Sequence, residues 1–130
     1  MLERYRVHPT IPATDLDRAR RFYADRLGLT PQRELPGGLE YECAGGSRFV
    51  LTRASGAASG QHTQMGFAVD DLDSVVAALK ECGVVFEEYD TPGLKTVNGV
   101  ADTGAIRAAW MRGSEGNILG LVQFLECHSR

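Results

Sequence analysis

The sequence predicts an α+β fold: two βαβββ modules, each with a mixed sheet and one helix on its outer face. Three observations predict it. The chain repeats itself, because Ile11-Pro12-Ala13-Thr14-Asp15-Leu16-Asp17 is answered by Phe67-Ala68-Val69-Asp70-Asp71-Leu72-Asp73. After each Asp-Leu-Asp, apolar residues recur at three- and four-residue steps, the period of a helix with one buried face. Around each such stretch lie short strand-like segments separated by glycine turns.

The elements follow in order. A strand is expected near residues 6–13, and Asp15 is placed to cap the helix that carries Leu16, Ala19, Phe22, Tyr23 and Leu27. Gly28 follows the last periodic residue and suits a helix end. Strands are expected at Gln32–Glu34, Leu39–Cys43 and Arg48–Thr52, with turns at Gly37-Gly38 and Gly45-Gly46. Small polar residues at about 53–61 read as a linker. The second half repeats the plan: a strand near 63–69, a cap at Asp71, then a helix with Leu72, Val75, Val76, Leu79 and Cys82, closed by Gly83. Strands at Val84–Tyr89, Ala105–Met111 and Asn117–Phe124 complete it. Module one thus spans about 5–52 and module two about 62–126, within a single domain of residues 1–130. A sheet with its helix on one face leaves the other free to curl around a ligand. The segment from Tyr89 to Gly104 is long for a hairpin connection; it is either a lid over the cup or a solvated loop.

Composition bounds the function. A hydrophobic fraction of 43% and a charged fraction of 24% are those of an ordinary globular domain rather than a disordered chain. A net charge of -3 disfavours nucleic acid, whose phosphates need a positive surface. No apolar stretch approaches a membrane span, and Met1 to Arg6 lacks an apolar leader region, so no membrane and a cytoplasmic location are expected. Cys43, Cys82 and Cys127 form no C-x-x-C pair and are expected to be reduced thiols. Cys127-His128 lies in a polar tail expected to fray. No G-x-S-x-G, P-loop or dinucleotide fingerprint is present, and no catalytic residue is assigned.

The run His8-Pro9-Thr10-Ile11-Pro12-Ala13-Thr14-Asp15-Leu16, followed by Phe22-Tyr23 and Leu27-Gly28-Leu29, resembles the opening of the glyoxalase, bleomycin-resistance protein and extradiol dioxygenase superfamily, the vicinal oxygen chelate fold. Phe67 to Leu72 repeats it, and Gly116-Asn117-Ile118-Leu119 matches the family's closing turn and strand. The likeness covers about residues 5–125. It implies that the two mixed sheets form a half-open cup with a ligand inside and, in the metal enzymes, a divalent ion acting as a Lewis acid. It also implies a partner that completes the cup, a second copy of the chain, giving a homodimer with an isologous interface.

The resemblance places metal ligands at four positions, one on the first and one on the last strand of each module. Here they are His8, Val50, Gln64 and Gly120. Val50 and Gly120 stand where carboxylates would be and offer no side-chain donor. Two neutral ligands leave a dication's charge uncompensated. Gly113, in place of an acidic residue before the Gly-Asn turn, is a milder departure. The expectation is therefore no metal and no other cofactor. The alternative keeps an ion on His8 and Gln64 with help from Glu42 or a partner chain. Strand alternation sends Ile11, Ala13, Phe49, Leu51, Phe67, Val69, Leu119 and Leu121 to the helix side. His8, Thr10, Arg48, Val50, Gln64, Gly66, Ala68 and Gly120 then face the cup, with Trp110 as a further candidate wall. Small residues leave volume, and His8, Thr10, Arg48, Gln64 and Trp110 supply polar groups, the pattern of a small-molecule pocket. Binding of a small organic molecule is the expected function. A metal-dependent lyase, isomerase or dioxygenase of the glyoxalase type is the alternative.

Overall fold

A computed structural model of the chain describes residues 1–54, 60 and 62–125. Most of the expected linker and the Cys127-His128 tail lie outside the described residues. The element order is β1 (Thr10–Ala13), α1 (Leu16–Leu27), β2 (Arg33–Leu35), β3 (Gly38–Glu42), β4 (Arg48–Arg53), β5 (Thr63–Ala68), α2 (Leu72–Glu81), β6 (Asp90–Thr91), β7 (Leu94–Lys95), β8 (Val100–Asp102), β9 (Ile106–Arg112) and β10 (Ile118–Phe124). Two mixed four-stranded sheets result, ordered β1-β4-β3-β2 and β5-β10-β9-β8. The orders are equivalent: in each, the first strand runs parallel to the last, and the remaining pairs are antiparallel.

Both helices start as the sequence requires. The Asp15 carboxylate accepts the Arg18 N–H at 3.0 Å, and Asp71 accepts the Ser74 N–H at 3.3 Å and its hydroxyl at 2.7 Å. Gly28 ends α1 in the left-handed region, φ 72°, where a side chain would be strained. Cys82, expected as the last member of the α2 stripe, is instead exposed at the helix end.

One apolar core joins the helix sides of both sheets. Ile11, Ala13, Phe49 and Leu51 meet Ala19 and Tyr23 of α1, and Leu119, Leu121, Ala109 and Met111 lie in the same cluster with Leu72 and Val76 of α2. Tyr41 stacks on Phe49 with centroids 4.8 Å apart and rings 3° from parallel. Burial pushes the Tyr41 phenol up to about 12, and its hydroxyl has no hydrogen-bond partner among the described residues.

A buried carboxylate links the modules. Glu115, in the turn between β9 and β10, accepts from Arg18 Nε at 2.8 Å, the Thr14 hydroxyl at 3.0 Å and the Asp15 N–H at 3.0 Å, all at the start of α1. Hydrogen bonding to Arg18 is the main reason its carboxyl is held down at about 2. Beside it, Asn117 Nδ2 donates to the Pro12 carbonyl at 2.8 Å.

Two sequence expectations change. Val84–Tyr89 is not a strand. Val84 and Phe86 are buried while Val85 is exposed, so the segment alternates like one, yet it makes a single bridge, Phe86 to Met111. Strand β8 takes the rest of the β9 edge, from Arg107 to Ala109. That strand and the β6–β7 hairpin occupy the stretch read as a loop. The first strand is also shorter than expected. Its pairing begins where the Pro9 carbonyl accepts the Val50 N–H, and residues 1–10 are all exposed.

Candidate functional site: the open faces of the two sheets

The face of each sheet turned away from its helix is set by register. On the first sheet, Thr10 lies beside Val50 and Val50 beside Glu40, so the three share one face with Arg48 and Glu42. On the second, Gly66 lies beside Gly120 and Gly120 beside Trp110, with Ala68, Val122 and Ala108 forming the next row.

The expected site residues are placed as follows. His8 precedes β1 and is exposed. Thr10 opens β1 and is exposed, and Val50 is half-buried. Arg48 is half-buried, with Glu40 at 3.7 Å and Glu42 at 3.6 Å. Gln64 is half-buried at a β-bulge: Ile118 pairs with Thr63 and Leu119 with Met65, which leaves Gln64 without an opposite residue. Gly66 and Ala68 are exposed, while Gly120 is buried. Trp110 is half-buried, its ring perpendicular to Tyr89 at 5.6 Å between centroids.

A cavity of about 230 Å³ opens over the second sheet, lined by Thr63, Tyr89, Leu94, Trp110 and Ile118. Gly120 lies beneath two of these residues: a Cβ there would come within 3.3 Å of the Thr63 methyl and 3.6 Å of the Trp110 indole. A smaller cavity of about 150 Å³ includes Arg48, Gly66, Met65 and Phe67. A third, of about 210 Å³, lies between the helices, with Leu27, Leu29, Val75 and Leu79 in its wall. It offers a ligand no charged side chain. Ligand sites pair apolar walls with a few orienting polar groups, and the cavity over the second sheet has that mixture.

Sequence reasoning missed Glu40. It is buried beside Val50, and its carboxylate is engaged by Arg33 at 3.0 Å as well as by Arg48. The buried positions of Leu39 and Tyr41 imply by alternation that Glu40 and Glu42 share the open face, which was the available signal. Thr63, Tyr89, Leu94 and Ile118 were missed because their meeting depends on the bulge and on the β6–β7 hairpin.

Of the four positions that the resemblance marks for metal ligands, two lack a side-chain donor. Val50 and Gly120 carry no donor, and the neighbouring carboxylate, Glu40, is already paired with two arginines. Among the described residues, no three or more His, Cys, Asp or Glu side chains gather where they could hold an ion.

The fold and this face can now be compared with known proteins. The family model described as Glyoxalase/Bleomycin resistance protein/Dioxygenase superfamily matches residues 6–106. The chain belongs to this superfamily. Among solved structures, a glyoxalase/bleomycin resistance protein/dioxygenase from Alicyclobacillus acidocaldarius has 20% identity and a TM-score of 0.67, covering 93% of this chain and 92% of that one. TnmS3, an antibiotic binding protein from Streptomyces sp. CB03234, has 23% identity and a TM-score of 0.66, covering 93% and 96%. The oxidase ChaP-H2 has 21% identity and a TM-score of 0.68, covering 93% and 94%. At these identities the structures establish the shared fold. No curated protein sequence matches the chain. Among the described residues, no helix of this superfamily member is long and apolar enough to cross a membrane.

Proposed function

We propose that this protein binds a small organic molecule on the open faces of its sheets, sequesters it unchanged, and needs no catalytic divalent metal. The observation that carries the reading is the cavity beside the Trp110 indole, which Thr63, Tyr89, Leu94 and Ile118 wall with it. Membership of a superfamily that includes bleomycin resistance proteins supports it, as does the likeness to an antibiotic binding protein. The missing donors at Val50 and Gly120 support the metal-free part. A cytoplasmic homodimer, whose second copy helps to close the cup, completes the reading.

Thermal unfolding in the presence of a library of small planar compounds tests it. A ligand at a hundred times its Kd adds about 2.7 kcal/mol to stability, which raises the midpoint measurably. Hits are expected to perturb Trp110, the only tryptophan, and to be recovered chemically intact by mass spectrometry. If no compound both stabilises the protein and perturbs Trp110, the reading fails. Turnover of a hit would instead make the protein an enzyme.

A further inference from the structure

Tyr89 and Trp110 meet at right angles, with 82° between their ring planes and 5.6 Å between centroids. Both are half-buried, and both line the cavity of about 230 Å³ over the second sheet. Perpendicular rings make a corner rather than a platform. A flat molecule stacks on one wall of a corner and leaves the other unmet, whereas a rounded group touches both.

Charge says which rounded group. Thr63, Tyr89, Leu94, Trp110 and Ile118 bring no charged side chain, so nothing in the wall repels a cation or pairs with an anion. An aromatic face carries the negative part of the ring quadrupole and attracts a cation. The charges just beyond the wall act in the same direction. Phe86 bridges Met111, and the Glu87 N–H donates to the Trp110 carbonyl at 2.8 Å, which sets Glu87 opposite Trp110. The Glu87 carboxylate makes one ion pair among the described residues, 3.3 Å to Arg112. Arg112 also donates to the Gly60 and Gly116 carbonyls, each at 3.2 Å. Glu88 and Asp90 flank Tyr89, and Lys95 follows Leu94. Glu87, Glu88 and Asp90 thus outnumber Arg112 and Lys95 around the cavity.

Hydration narrows the class further. An ammonium with N–H groups must find an acceptor for each when it leaves water. A fully methylated ammonium has no N–H to satisfy, and its methyl groups meet the rings directly. We propose that the Tyr89–Trp110 corner holds the methylated ammonium head of an organic cation. The proposal rests on the binding reading above and names a ligand class for it.

Three naphthalenes that differ in one substituent test it on the full chain: trimethyl(2-naphthyl)ammonium, its uncharged isostere 2-tert-butylnaphthalene, and the flat ketone 2-acetonaphthone. Binding is followed by calorimetry and by the single indole N–H resonance of Trp110. The cation is expected to bind about tenfold more tightly than its isostere, the difference a partly desolvated cation–π contact makes, and more tightly than the ketone. Tyr89→Phe, which keeps the ring, should retain that preference. Tyr89→Leu should bring cation and isostere within about threefold of each other. If the Leu variant does not fold, the salt dependence serves instead. At about 1 M salt, where the Debye length is about 3 Å, attraction by distant carboxylates is screened but ring contact is not, so the preference should survive. Its loss in salt, or its survival in Tyr89→Leu, overturns the corner as its source. If cation and isostere bind the unaltered protein equally while both shift Trp110, the charge selection is overturned and the binding reading stands. Tightest binding by the ketone overturns the selection for a rounded head. If no probe moves the Trp110 resonance, the binding reading itself fails and takes this proposal with it.

Discussion

Trp110 and Gly120 are direct neighbours across the β9–β10 pair, and a Cβ on Gly120 would lie 3.6 Å from the indole Cδ1 and Nε1. The indole therefore lies against a bare backbone rather than a side chain. Thr63 and Trp110, which both close on that position, also line the neighbouring cavity.

Substitution at Gly120 should separate fold from binding. Gly120→Ala adds a methyl at ordinary contact with the indole and a tight 3.3 Å from the Thr63 methyl. It should change stability by no more than about 1 kcal/mol. Gly120→Leu must displace Trp110, so the Trp110 resonance should move without any ligand and affinity for 2-acetonaphthone should fall about tenfold or more. Unchanged affinity in Gly120→Leu would place the ligand elsewhere.

The link through Glu115 predicts a pH dependence. Its folded-state pKa, about 2, lies below the ordinary 4.5. A depressed carboxyl contributes stability above its unfolded value, and that contribution is lost as pH falls from about 4.5 toward 2. Glu115→Gln should cost about 1.5–3 kcal/mol at pH near 7, the range for hydrogen bonds to a charged group. The gap between variant and parent should shrink in urea titrations at low pH. An equal gap at both pH values would show that the ionised form is not what stabilises the seam.

For the metal, elemental analysis after exhaustive dialysis should find no zinc, nickel, iron or manganese near one per chain. Two neutral donors, His8 and Gln64, do not compensate a dication in a partly dry cup. Stoichiometric metal that disappears in His8→Ala would reverse this and make a glyoxalase-type reaction the leading function.

Light scattering at micromolar concentration should give the mass of a two-fold dimer. Tyr5 and Val7, at 62% and 86% exposure, precede β1, and an isologous interface would be the usual symmetric way to cover them. A monomer at that concentration would sink the dimer.

Hydrogen exchange should find the β6–β7 hairpin slowed by bound 2-acetonaphthone, since Leu94 lines the Trp110 cavity. Equal exchange with and without the compound would mean that the hairpin does not act as a lid.

How much was legible in the sequence differs element by element. The capped helices were legible because Asp15 and Asp71 act on backbone groups three residues away. The buried faces of β1, β4 and β10 were legible because alternation fixes them once the helix side is known: Ile11, Leu51 and Leu119 are all 0% exposed. The edge of the second sheet was not. Val84 and Phe86 carry a strand's pattern, but hydrogen-bond pairing, which side chains report only weakly, went largely to Val100–Asp102.

The sequence by itself determined the duplicated fold, the helix starts and ends, and the absence of donors at Val50 and Gly120, because these follow from residue type and short-range spacing. Only the tertiary structure decided the company these residues keep. It set Glu40 between Arg33 and Arg48, left Arg48 Nε without a partner among the described residues, and brought Glu115 to the start of α1. Those contacts depend on strand register and on how two modules pack, where residues about 100 positions apart, such as Asp15 and Glu115, come within hydrogen-bond reach. Local periodicity carries no information at that separation.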